Sequence, residues 1–150
     1  MLGFLAMLRF MTMKYRTEQE GDLLRIIALR DILGLVKEGD YGGRIEKPAN
    51  LSQDGLCWVF PDAIIYDDAR IFEDSMVYGN ATVADSACCY GNSRIFGRAE
   101  IKGKAIIYGD VHISGDTEIQ GEVRVNGNVR ILGDAHISGY AIIESTYIED

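Results

Sequence analysis

From Cys57 to Thr146 the chain repeats one pattern of apolar and polar positions fifteen times, six residues at a time and without a gap. The phrase is small–x–Ile/Val–x–Gly/Asp–polar, as in Ser75-Met76-Val77-Tyr78-Gly79-Asn80 and Ala105-Ile106-Ile107-Tyr108-Gly109-Asp110. Its third position is Val or Ile except at Cys89. Its first is most often Ala, and its fifth is Gly except at Pro61, Asp67, Glu73, Asp85 and Ser145. A helix turning every 3.6 residues would scatter such a column over all its faces, so the period excludes helix and predicts a solenoid. In a short strand, positions one and three point inward and positions two and four outward. Positions five and six then make a corner, where Gly, Asp or Asn tolerates a left-handed backbone. Three strands and three corners close a triangular coil of eighteen residues, and fifteen hexads give about five coils, roughly 24 Å of stack at the usual strand spacing.

The phrase resembles the hexapeptide repeat of the left-handed parallel β-helix, in which an aliphatic residue is followed four places later by a small one. Val59 to Ala63 and Ile101 to Ala105 fit it. The left hand is what the resemblance implies; the general rule for crossovers favours the right. The expected fold is therefore all-β, a single-stranded left-handed parallel β-helix over residues 57–150. Residues 1–56 form an N-terminal extension that caps the first coil.

Before the repeats, Leu23 to Val36 reads as an apolar strand-like run, and Lys37 to Gly43 as a turn with three glycines. Residues 1–13 are apolar, but they lack a basic start and a cleavage site, and Arg9 interrupts them. They are too few to span a bilayer. They are expected to be a short amphipathic end-piece, or an extension upstream of a start at Met11 or Met13. Beyond Thr146 only four residues remain, two of them acidic, which discourages endless end-to-end stacking.

The chain carries a net charge of −8. Residues 1–56 hold eight basic and eight acidic side chains, and residues 57–150 seven and fifteen, so all the surplus acid lies on the repeats. That balance argues against nucleic acid as a direct ligand. The three cysteines give no closed disulfide framework and no pair at metal-ligand spacing, and the expected location is cytoplasmic.

Three pieces of the opening narrow the resemblance: Arg25 to Asp31, Val36 to Glu46, and Asn50-Leu51-Ser52 with Cys57-Trp58-Val59. They are similar to the front end of hexapeptide-repeat proteins of bacteriophages and prophages. Members of that group are labelled transferases on the strength of fold, which does not establish activity. Residues 1–13 have no counterpart in that pattern, and position one is bulkier than usual at Val111, Thr117, Val123 and Val129.

Outward residues eighteen apart stack in columns. On the first face Trp58, Met76, Arg94, His112 and Arg130 form one column, beside Phe60, Tyr78, Phe96, Ser114 and Leu132. Aromatic residues, Met and Arg are enriched at protein interfaces, so Trp58, Phe60, Met76, Tyr78, Phe96 and Leu132 are candidate interface residues. The alternative is a stabilising aromatic ladder, or burial beneath residues 1–56. Arg94, His112 and Arg130 form a candidate anion site, whose cations favour a neutral imidazole. His136 stands one coil from Glu118.

Two chemistries of the resembling fold can be weighed. Zinc hydration of the carbonic anhydrase type requires three histidines, and this chain has two, on different faces; no metal site is expected. Acyl transfer from an acyl-coenzyme A requires a histidine base, for which His112 is the candidate, but no loop interrupts the hexads and no helical tail follows them. The expected function is a non-catalytic module of protein binding or assembly without a cofactor. It forms a closed dimer or trimer through the first face, and inhibition of a basic host nucleic-acid-binding or defence protein is a further candidate role for its acidic surface. Hexapeptide-repeat acyltransferase is the alternative.

Overall fold

The computed structural model describes Gly3 and residues 13–149. The end-piece expected over residues 1–13 therefore lies outside the described residues, apart from Gly3 and Met13. The chain is an all-β parallel solenoid of about six turns. Two-residue strands such as Met76–Val77, Thr82–Val83 and Cys88–Cys89 form its walls, and each pairs in parallel with the residues eighteen further on. The backbone N–H of Tyr78 donates to the carbonyl of Ile95 at 2.9 Å, and that of Phe96 to Ile113 at 2.9 Å. This pattern repeats coil after coil, so backbone groups unpaired within a two-residue strand are satisfied by the neighbouring coil.

The inward columns form the core. Position-three residues from Val59 to Ile131 are buried, and position one contributes Ala63, Ala81, Ala99 and Val111 among others. Small residues are needed there because three walls converge on one axis. The two inward serines, Ser75 and Ser93, satisfy each other, Oγ to Oγ at 2.6 Å, as buried hydroxyls must.

Every fifth position except Pro61 has positive φ, including Asp67 (54°), Glu73 (56°) and Asp85 (57°). Proline, fixed near −65°, is the one residue that cannot adopt this conformation. At the acidic corners the side chain bonds to the next coil. The Asp67 carboxylate accepts from the N–H of Asp85 (3.2 Å), that of Asp85 from Gly103 (2.9 Å), and that of Glu73 from Gly91 (2.9 Å). Asp85→Ala keeps the left-handed strain and loses this bond. It is expected to cost about 1–2 kcal/mol, more than Asp85→Asn, by thermal denaturation.

The N-terminal segment begins with an antiparallel meander of β1 (Tyr15–Glu20), β2 (Leu23–Ala28) and β3 (Tyr41–Ile45). Strand β3 then joins the solenoid wall, Arg44 and Ile45 pairing in parallel with Ile64 and Ile65. Leu51 bridges Ile71 in the same sense. The parallel stack thus starts before the hexads do. These partners are twenty residues apart, two more than in a regular coil, which hides the first turn from a six-residue count. At the other end, Tyr147–Glu149 pairs with Arg130–Leu132 in a register one residue short of eighteen. These two partial turns bring the expected five coils to about six.

The turn expected over Lys37 to Gly43 is shorter than its three glycines suggest. Gly39 turns, with φ 91°, whereas Gly42 and Gly43 lie inside β3. There a Cβ would meet Ile26 and Trp58 at Gly42, and the Ala63 carbonyl oxygen 2.5 Å away at Gly43. Both glycines permit close approach of the strand to the first coil.

Candidate functional site

The first face carries a ladder of rings. Phe60 and Tyr78 meet edge-on at 5.8 Å, Tyr78 and Phe96 stack at 4.9 Å with planes 2° apart, and Phe96 meets the His112 ring at 6.5 Å. Phe60, Tyr78, Phe96 and Leu132 are half-buried along this wall. Trp58 and Met76, expected on the surface, are only 1% and 2% exposed. Trp58 lies under the N-terminal segment: Tyr15 packs edge-on against it at 6.4 Å, and Gly42 leaves room for it. The exposed interface expected here loses these two members.

The parallel register brings Arg94, His112 and Arg130 together as adjacent rungs. Their charges, however, are engaged. The Arg94 guanidinium donates to the carbonyls of Asp74 (2.9 Å) and Ser93 (3.0 Å), and that of Arg130 to Asp110 (3.2 Å) and Val129 (3.1 Å). The Asp110 carboxylate sits within 3.5 Å of His112 Nε2 and 3.8 Å of Arg130. A bound anion would compete with it. Burial, then the Arg130 and Arg94 charges, hold the imidazole below its ordinary range, against the opposing pull of Asp110. Because the folded state favours neutral His112, its small contribution to stability is present above the ordinary value of 6.5 and fades as pH falls through the lowered one. An NMR titration of the His112 ring is expected to show a midpoint below 6.5.

The second face is charged. Lys102 lies between Glu100 (3.6 Å) and Glu118 (3.1 Å), and His136 Nδ1 is 3.4 Å from Glu118.

The third face is the surface that the sequence pattern displays without singling it out. Phe72, Tyr90 and Tyr108 form a continuous stack with centroids 4.7 and 5.1 Å apart and planes within 11°. The Tyr108 hydroxyl accepts from the Asn126 amide at 3.0 Å. Beside this stack Ile106, Arg124 and Ile142 follow one another in register. Ile142 is 71% and Tyr140 85% exposed. These residues, with Lys104 and Glu122, line a shallow groove on the wall. The signal in the sequence is the same eighteen-residue spacing, applied to Phe72, Tyr90 and Tyr108.

Among the described residues no three His, Cys, Asp or Glu side chains gather as a metal site, and no helix is long and apolar enough to cross a membrane. Compared with models of protein families and with curated protein sequences, the chain matches none.

Proposed function

We propose that this protein is a non-catalytic binding module that assembles with copies of itself through its third face, as a closed dimer or trimer. The observation that carries the reading is the pairing of the Phe72–Tyr90–Tyr108 stack with largely solvent-exposed Tyr140 and Ile142 on one wall. Flat aromatic and aliphatic surface with an embedded arginine is the composition of interface hot spots. Its charges are of both signs, Lys104 and Arg124 beside Glu122 and Glu144. A second copy related by symmetry can therefore match positive to negative, although the whole molecule carries −8. The resemblance of the opening to phage and prophage hexapeptide-repeat proteins supports a role in assembly. The acid surplus on the repeats supports a basic host protein as a further partner for the other walls.

Light scattering on the wild type is expected to give a dimer or trimer; a monomer at micromolar concentration overturns the reading. Calorimetry with coenzyme A is expected to show no saturable binding. Micromolar affinity, together with transfer activity lost in His112→Ala, would instead establish the acyltransferase alternative.

A further inference from the structure

At the N-terminal end of the solenoid a lysine is buried against a cysteine. Lys14 and Cys57 are both fully buried, and Lys14 Nζ stands 3.0 Å from Cys57 Sγ. The amine is held there by the carbonyls of Asp54 (3.3 Å) and Gly55 (3.4 Å), and the thiol lies against those of Ser52 (3.5 Å) and Asp54 (3.6 Å). No carboxylate bonds to this amine among the described residues, which is unusual for a buried lysine. Burial lowers the Lys14 pKa and raises that of Cys57, so both groups are driven toward their neutral forms. A neutral amine is nucleophilic, and a cysteine sulfur is an oxidisable group. The loop that supplies the carbonyls also lines an open surface pocket with Phe72, Glu73 and Asp74.

We propose that Lys14 and Cys57 are the two ends of an oxidative cross-link, an Nζ–O–Sγ bridge that fastens the N-terminal segment to the first coil. Dioxygen is the oxidant. The amine loses one hydrogen and the thiol its hydrogen, and one oxygen atom is placed between nitrogen and sulfur. The second oxygen atom leaves as water with both hydrogens. Nitrogen and sulfur each give up two electrons, and dioxygen accepts the four. The bridge spans the forty-three residues that separate its ends, so closing it restricts the unfolded chain as a disulfide would. Reduction by a thiol such as dithiothreitol reopens it.

The test compares full-length protein kept anaerobic with the same preparation held in air-saturated buffer. The aerobic sample is expected to gain one oxygen and lose two hydrogens by intact mass, and to lose one of its three titratable thiols in denaturant. Peptide mapping should join the Lys14 and Cys57 peptides, and dithiothreitol should reverse all three changes. Cys57→Ser and Lys14→Arg are expected to abolish the mass change. An unchanged aerobic mass overturns the proposal. So does gain of oxygen alone, a direct nitrogen–sulfur bond seen as loss of two hydrogens, or a mass change that persists in Cys57→Ser. The wild type carries the primary readout, so the proposal stands or falls on its mass even where a variant fails to fold.

Discussion

Gly103→Val is expected to abolish the cooperative unfolding transition of the solenoid. Gly103 has φ +70°, and a Cβ added there would lie 2.5 Å from the backbone nitrogen of Gly121 in the next coil. The left-handed backbone alone costs a non-glycine residue about 1–2 kcal/mol, and valine is among the least tolerant. The contact is the larger effect, because the atom it meets is main chain of a residue tied into the ladder, the Gly121 carbonyl accepting from the N–H of Lys104 at 2.8 Å. Relief would require the coils to part, and parting them breaks the hydrogen bonds on either side. Gly139→Asn separates the two causes. Its φ is similar, +76°, but a Cβ there meets nothing within 4 Å. Asparagine also tolerates left-handed backbone. That variant should melt close to the wild type, whereas Gly103→Val should be insoluble or lack a sharp thermal transition. A wild-type melting curve for Gly103→Val would contradict the close stacking of the corners.

Ile107→Ala is expected to destabilise the protein by about 2–5 kcal/mol, the usual cost of emptying a packed core position. Ile107 is fully buried in the middle of the stack, paired with Cys89 on one side and Val125 on the other. The triangular core has no slack in which to collapse around the missing atoms, because the wall is held by hydrogen bonds above and below. Ile142→Ala, on the outside of the same wall, should change stability little. Chemical denaturation of the two variants checks the inward and outward assignment directly, and similar losses for both would refute it.

The hexad pattern made the walls, the core columns and the corners legible because each residue in it has one duty, repeated in the same surroundings. Ile95, Ile107 and Ile119 are buried as position three requires, while Tyr78, Lys102 and Tyr108 are half-exposed. Legibility ends where the chain leaves its period. The partial first turn is carried by Arg44, Ile45 and Leu51, and no repeat announces it. Its corner is closed by buried Asn50, whose amide donates to the carbonyls of Asp67 (2.9 Å) and Ala69 (2.8 Å) and accepts from Glu46 and Lys47. A lone asparagine before the repeats gives no hint of that role. Trp58 and Met76 stand in an outward column, yet burial also depends on what lies over the column, which a repeat count does not contain. The same holds for Asp110, a corner residue by phase whose carboxylate enters the His112–Arg130 group. It holds equally for Lys14, whose partner lies forty-three residues away.

The most direct measurement of the central claim is the solution mass of a Tyr140→Ser, Ile142→Glu double variant, set beside Tyr78→Glu, Phe96→Glu and the wild type. Tyr140 and Ile142 are exposed, so their replacement leaves the core intact and any change in mass reports on association. The third-face variant is expected to be a monomer by light scattering, with an unchanged circular dichroism spectrum, while the first-face variant keeps the wild-type dimer or trimer. An undiminished oligomer in the Tyr140→Ser, Ile142→Glu variant would contradict the account, and dissociation of only the Tyr78→Glu, Phe96→Glu variant would move the interface to the first face.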